Sequence, residues 1–271
     1  MRTLAAAYSI RAHVCALYAL VFLLVYKGAG GQPFSALALA WAAWVYLSLQ
    51  TAYILNRIED ITEDEINGDP FSLSPELRRA ALLAAPVLLT LLAGIALLVH
   101  RAAWPVLVYG LALIPLYSLP SLPLKRFLLF KPLLLTAGFF LISFFLPISL
   151  VSGGSAGFWR SLPALLSANW PFPAFFFLNS VFLDLRDVRG DAAAGISTFP
   201  GVLGARSAAL TLSAASAALA AVFFARGAAI PAVFSLFFSA ASAGALRLPG
   251  RDYYNSVILL EAAACLYVLL Y

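Results

Sequence analysis

Charged side chains are scarce in this sequence: of 271 residues, only 11% are Asp, Glu, Lys or Arg, while 63% are hydrophobic. Soluble domains carry about 25% charged residues, so a soluble globular domain is excluded and an integral membrane protein with several spans is implied. Cysteine and histidine are almost as rare. Cys15 and Cys265 both sit inside apolar runs, where they read as small buried hydrophobes. The two histidines, His13 and His100, form no cluster with them, which argues against zinc, iron–sulfur or haem ligation through such a set. Low-complexity tails, soluble insertions and linkers are absent too, so residues 1–271 read as one membrane domain.

What is present is a succession of apolar runs, at about 12–26, 34–55, 80–99, 103–120, 132–150, 162–183, 205–225, 228–246 and 254–271. A bilayer core of about 30 Å takes about 20 apolar residues per helix. The fold expected is therefore all-α, a polytopic bundle of about nine transmembrane helices. The first run resembles a signal peptide in having Arg2 and Arg11 before it and small residues after it, but Lys27 directly follows it and the alternation below requires it as a span. With the N-terminus in the cytoplasm, the inner segments hold Arg2, Arg11, Arg57, Arg78, Arg79, Lys125, Arg126, Lys131, Arg186, Arg189, Arg206, Arg247 and Arg251. The outer ones hold only Lys27, Arg101, Arg160 and Arg226. That bias supports nine spans with the C-terminus outside, in the cytoplasmic membrane. It also accounts for the net charge of +5 without invoking nucleic acid.

The acidic residues are distributed unlike the basic ones. Seven of the twelve lie in 59–76 and three in 184–191, leaving Asp252 and Glu261. Asp184, Asp187 and Asp191 have the spacing D-x-x-D-x-x-x-D, which on a helix puts all three on one face. Like charges so placed repel and need a cation to coexist at neutral pH. Asp60 and Asp64, with Asn56 before them, close the second run as the other three close the sixth. An offset of 127 positions aligns Asp60 with Asp187 and Asp64 with Asp191, so the chain reads as two related halves, each delivering acids to the cytoplasmic side. A solvated loop is the plain reading of the first cluster alone; two matched clusters on one side read as a site.

The loop 65–79, with Gly68, Pro70 and Pro75, is turn-rich rather than a span. Ser74-Pro75-Glu76 gives a Ser N-cap, Pro at the first helical position and an acid in the first turn. Between runs four and five, Pro120 and Pro123 precede Lys125, Arg126 and Lys131, which bring positive charge to the acidic side, either as a site component or as ordinary positive-inside charge. The Ala- and Ser-rich run at 208–221 reads as close helix packing. Glu261, inside the last run, reads equally as cavity-facing or as a packing contact.

Two acid clusters beside Lys and Arg at a membrane face suit a diphosphate bridged by Mg²⁺, which binds through one or two carboxylates plus substrate phosphates. Lys125 and Arg126 would add direct contacts, and the apolar bundle has room for a lipid tail. Cleavage of an allylic diphosphate, with the carbocation captured by an acceptor, is the chemistry such a site serves. A lipid-alcohol phosphotransferase would also use membrane-edge aspartates and a metal, but its expected Asp-Gly and Ala-Arg pairs are missing from both clusters. An ion transporter would need acids at mid-membrane depth, where only Glu261 qualifies.

The motifs also carry a family resemblance. Asp184-Leu185-Arg186-Asp187-Val188-Arg189-Gly190-Asp191, followed by Gly195-Ile196-Ser197-Thr198-Phe199-Pro200, resembles the second aspartate motif of the UbiA superfamily of intramembrane prenyltransferases. Asn56-Arg57-Ile58-Glu59-Asp60-Ile61-Thr62-Glu63-Asp64 resembles the first. Tyr117-Ser118 through Leu124-Lys125-Arg126 is similar to the family's loop between helices four and five. The resemblance spans the chain and implies a nine-helix bundle that transfers a prenyl chain from its diphosphate to an aromatic or similar lipophilic acceptor, in quinone or prenyl-lipid synthesis. It implies that Asp60, Asp64, Asp184, Asp187 and Asp191, with Asn56, form the Mg²⁺–diphosphate site, assisted by Tyr117, Lys125 and Arg126. Arg57 stands where the family usually has Asp. On an unbroken helix it lies at the edge of the Asn56–Asp60–Asp64 face, positioned either to contact a diphosphate oxygen or to pair with Asp60.

Overall fold

The computed structural model describes residues 11–67, 74–109, 126–154, 156–247 and 251–270. Among these residues every regular element is helical, as 63% hydrophobic composition in a membrane requires: a helix satisfies its backbone hydrogen bonds internally, where no water can do so. In chain order the α-helices are α1 (Ala12–Gly28), α2 (Ala36–Glu59), α3 (Ile61–Ile66), α4 (Pro75–Val99), α5 (Trp104–Val108), α6 (Phe130–Phe140), α7 (Leu146–Val151), α8 (Ala156–Asn169), α9 (Pro171–Ala193), α10 (Phe199–Leu203), α11 (Ala205–Ala225), α12 (Ala229–Gly244) and α13 (Arg251–Leu270). A π-helical turn, Leu141–Phe145, joins α6 to α7.

Among the described residues five helical stretches are long and apolar enough to cross a bilayer: Ala36–Ile58, Glu76–Val99, Phe130–Val151, Ala205–Ala225 and Asp252–Leu270. The apolar helices Ala12–Gly28 and Ala229–Gly244 are shorter. The chain is an all-α, multi-pass membrane bundle. Two of the expected runs look different in the structure. The run at 103–120 is described only to Tyr109, so its remainder, with Tyr117, lies outside the described residues, as does Lys125 after it. The run at 162–183 is interrupted at Trp170, where α8 ends and α9 begins with Pro171 at its first position. A proline fits there because the first helical N–H has no partner to lose.

Local signals set the helix ends. Ser35 and Ser74 each accept a hydrogen bond from the backbone N–H three residues on, at Ala38 (3.2 Å) and Leu77 (3.3 Å), and Pro75 follows Ser74 as the sequence predicts. The end of α9 matters most. Ile196 N–H donates to Asp191 O (2.8 Å) and Gly195 N–H to Ala192 O (3.1 Å), with Gly195 at φ +69°. This two-bond closure needs a left-handed residue and stops the helix two residues after its last aspartate.

Polar contacts show which helix ends share an end of the bundle. At one end, Arg78 at the start of α4 donates to Ile58 O at the end of α2 (3.3 Å). At the other, Lys27 Nζ donates to Val268 O and Leu269 O (3.2 and 3.3 Å), joining the last turns of α1 and α13. Also there, His100 after α4 and Ser149 on α7 share a 3.0 Å hydrogen bond, and Arg226 stacks on Trp170 at 5.7 Å. The main core lies around α1, with Phe22, Val45, Ala96 and Leu146 buried together. A second cluster packs α9 against α11 to α13 through Phe182, Ala208, Ala209 and Phe238. Buried alanines on α11 permit the close approach of α12, where Ser213 and Ser239 hydroxyls meet at 3.1 Å.

Candidate active site

Four helix ends converge on one pocket of about 150 Å³: the start of α1, the end of α2 with α3, the start of α6 and the end of α9. Its lining includes Asn56, Arg57, Asp60, Asp64, Asp184, Asp187 and Asp191, so the two acid stretches, more than a hundred residues apart in sequence, meet in space.

The second stretch follows from α9 running unbroken through all three aspartates. Lys131, in the first turn of α6, bridges two of them, with Nζ 3.0 Å from Asp184 Oδ1 and 2.9 Å from Asp191 Oδ2. These carboxylates are seven residues apart, two helical turns, so one ammonium reaches both. Asp187 is held instead by its neighbour Arg186, through paired 2.6 Å hydrogen bonds from Nε and Nη2. Burial pushes the Asp184 carboxyl up to about 6, with Lys131 opposing that shift and Asp191 adding to it. Burial acts the same way on Asp187, but Arg186, with Lys131 and Arg11, outweighs it and holds this carboxyl well below the usual range. Asp191 is raised, by burial first and against Lys131. One oxygen, Asp184 Oδ2, is buried with no hydrogen-bond partner.

The first stretch does not continue as a helix. Asp60, at φ −94° and ψ 19°, ends α2 and begins the short α3. Asn56 Nδ2 donates to Asp60 Oδ2 across 2.7 Å and helps fix this joint. The break changes the geometry expected of Arg57. The structure pairs it with Asp64, Nη1 to Oδ2 at 2.6 Å, with the Arg57 side chain 2% exposed. Arg11 approaches the other oxygen of Asp64 at 3.9 Å. α3 itself is seated on α9 where Gly190 leaves room: a Cβ there would meet Asn67 and the Glu63 carbonyl. Asn67 Oδ1 instead accepts from Gly190 N–H at 2.7 Å.

Of the cations expected near the acids, Arg126 is exposed and does not line this pocket, and its carbonyl accepts from Ser197 N–H at 3.4 Å. Lys125 and Tyr117 lie outside the described residues. The cations that reach the carboxylates are Lys131, Arg11, Arg57 and Arg186. Lys131 is open in the sequence as a site component or as positive-inside charge, and the structure brings it to the acids. Arg11 and Arg186 register in the sequence only as positive-inside charge, and their position at helix ends on the acidic side is the signal that marks them. Tyr53 and Tyr109 also line the pocket, and Tyr109 lies against Gly138 and donates to Leu134 O (2.8 Å).

Among the described residues no group of three His, Cys, Asp or Glu side chains is set to hold a metal ion. The donor set nevertheless suits Mg²⁺: it is all oxygen, concentrated in one pocket, with Asp184 Oδ2 buried and unpartnered. A family model described as the UbiA prenyltransferase family matches residues 6–256. No curated protein and no solved structure matches the chain.

Proposed function

Because this chain belongs to the UbiA prenyltransferase family, we propose that it transfers a prenyl chain from an allylic prenyl diphosphate to an aromatic or similar lipophilic acceptor, with Mg²⁺, in quinone or prenyl-lipid biosynthesis. The observation that supports this most is the convergence of both acid stretches on one pocket at one end of an apolar bundle. In the proposed orientation that end faces the cytoplasm, from which a soluble metal ion has access and to which pyrophosphate departs.

Asp60, Asp64, Asp184, Asp187 and Asp191 are the residues that would hold Mg²⁺. Bound there, the ion supplies charge neutralisation to the diphosphate as it becomes a leaving group. Asn56 acts on the first stretch through its hydrogen bond to Asp60. Arg57 and Lys131 sit among the carboxylates and offer N–H donors suited to diphosphate oxygens; Tyr117, Lys125 and Arg126, which precede α6 in sequence, are proposed to assist. The carboxylate–cation pairs hold the pocket in shape before substrate arrives, so binding exchanges partners instead of ordering free side chains. The apolar wall formed by Leu134, Leu135, Phe139 and Leu183 lies beside the acids, where the first prenyl unit would rest away from water.

The test is direct. Purified protein in lipid nanodiscs is given radiolabelled prenyl diphosphates of several lengths with phenolic and naphthoic acceptors, with and without Mg²⁺. Mg²⁺-dependent appearance of a prenylated acceptor is expected. Release of phosphate-containing headgroup onto a lipid alcohol, with no carbon–carbon or carbon–oxygen prenyl transfer, would replace this reading with phosphotransfer.

A further inference from the structure

A second, larger cavity of about 830 Å³ lies among α1, α9, α12 and α13, beyond the acid pocket. The volume is within the range of about 300–1,000 Å³ typical of small-molecule sites. A stacked pair marks where the two spaces adjoin: Tyr18 lines the cavity, Phe139 lines the acid pocket, and their rings lie 3.7 Å apart. Aromatic and aliphatic side chains such as Phe172, Phe176, Phe234 and Val21 form most of its wall.

Glu261 breaks this apolar character. It is 2% exposed and lines the cavity opposite Asn179, whose Nδ2 donates to Glu261 Oε2 at 3.4 Å. Glu261 Oε1 is buried and has no hydrogen-bond partner. A polar atom buried without a partner is costly, and acidic side chains within membrane spans are rare and usually functional. The cavity also shows which ligands it disfavours. Among the described residues Lys27 is the one Lys or Arg in its lining, and its Nζ donates to Val268 O and Leu269 O. A phosphate or carboxylate ligand would meet the carboxyl of Glu261, and its charge would have to leave water for a largely aromatic and aliphatic wall. A hydroxyl group donates one hydrogen bond and brings no charge.

We propose that this cavity is a binding site for an uncharged lipophilic alcohol or phenol, whose hydroxyl donates to Glu261 Oε1 beside Asn179 while its apolar body fills the aromatic chamber. The proposal concerns binding and stands independently of the transferase reading. The ligand is either an acceptor awaiting prenylation or a resident lipid alcohol, which share this chemistry.

The probe is a long-chain primary alcohol carrying a diazirine in its chain, compared with its methyl ether, which cannot donate. Protein in nanodiscs is photolabelled and the adducts mapped by mass spectrometry. The alcohol is expected to label residues lining the cavity, with the ether weaker by about tenfold, the loss of one hydrogen bond. Glu261→Leu is expected to lower alcohol labelling by a similar factor, and Glu261→Gln to retain most of it. Equal labelling by alcohol and ether in the unsubstituted protein overturns the proposal, whether or not Glu261→Leu folds; so does undiminished labelling in a folded Glu261→Leu. Adding prenyl diphosphate and Mg²⁺ then separates the two sources, since an acceptor is recovered prenylated and a resident lipid unchanged. Labelling needs no turnover, so an enzyme inactive in transfer leaves this test intact.

Discussion

The acid stretch that closes α2 and the one that closes α9 share a spacing, 60 and 64 against 187 and 191, yet the backbone turns at Asp60 and runs straight past Asp187. Their charge balance differs as well. The first stretch has its own cation, Arg57, paired with Asp64. At the aligned position the second has Asp184, and its neutralising charge comes partly from another helix through Lys131. The two stretches are thus unequal partners: one is tied within itself and seated on α9 through Asn67, while the other depends on α6. A matched spacing in sequence therefore predicts where acids are delivered better than it predicts what balances them.

The largest expected effect tests that dependence on α6. Lys131→Met leaves two buried carboxylates without their shared cation, a change that costs about 3–5 kcal/mol when one partner of a buried pair is removed. Thermal unfolding without Mg²⁺ should show the loss, and Mg²⁺ or Asp184→Asn in the same chain should recover part of it. Unchanged stability would mean that the second stretch is balanced without α6.

Next in size is the contribution of each half to turnover. Asp60→Asn and Asp187→Asn keep volume and remove charge; each is expected to lower kcat/KM by about a hundredfold, the scale of losing one electrostatic contact to a transition state. If both retained near wild-type turnover at low Mg²⁺, the shared-metal proposal would be wrong. If only Asp187→Asn lost activity, the metal would belong to the unbroken half alone.

Arg57 sharpens the comparison at its point of greatest asymmetry. Arg57→Ala should raise KM for the prenyl diphosphate about tenfold, equivalent to one charge-assisted contact. Arg57→Asp should regain function only at higher Mg²⁺. An unchanged KM in both, with lowered stability, would confine Arg57 to holding Asp64.

The smallest effect is in pH. Burial raises Asp184 to about 6, so its ionised form is the costly one in the folded chain. The folded state takes up this proton more readily than the unfolded chain does. Its contribution to stability therefore improves as pH falls through about 6 toward the ordinary carboxylate value and levels off below that. Metal binding runs the opposite way, since protons compete for the same oxygens. Below pH 6 the Mg²⁺ concentration needed for half-maximal activity should rise, by up to about tenfold per pH unit, and Asp187, held low by Arg186, should not add to that rise. A Mg²⁺ requirement that stays flat between pH 5 and 7 would remove Asp184 from the metal set.

Much of this architecture is legible in the residues themselves. The apolar runs announce the bundle, Ser74-Pro75 announces a helix start, and the 3–4–7 spacing of Asp184, Asp187 and Asp191 announces one face, because α9 is regular there. The break at Asp60 is not legible, since Ile61-Thr62-Glu63-Asp64 continues a helical pattern and the turn is decided by how α3 seats against Gly190. The division at Trp170 had a signal in Pro171, which the surrounding hydrophobicity masks. Lys131 could be counted as a charge but not matched to its carboxylates, because that contact spans 60 residues and depends on how α6 packs against α9. The same holds for Glu261, whose partner Asn179 is 82 positions away.

The clasp of Lys27 on the final carbonyls of α13 has a consequence for biogenesis. Chains emerge from the ribosome in order, at about 5–20 residues per second, and this contact joins a helix made near the beginning to one made more than two hundred residues later. Until α13 enters the bilayer, α1 lacks the neighbour that holds its far end, and the aromatic chamber lacks the wall bearing Glu261. The contact and the chamber therefore close only once α13 has been made. A chain stopped after α12 would leave the chamber open on the side that Glu261, Cys265 and Val268 close.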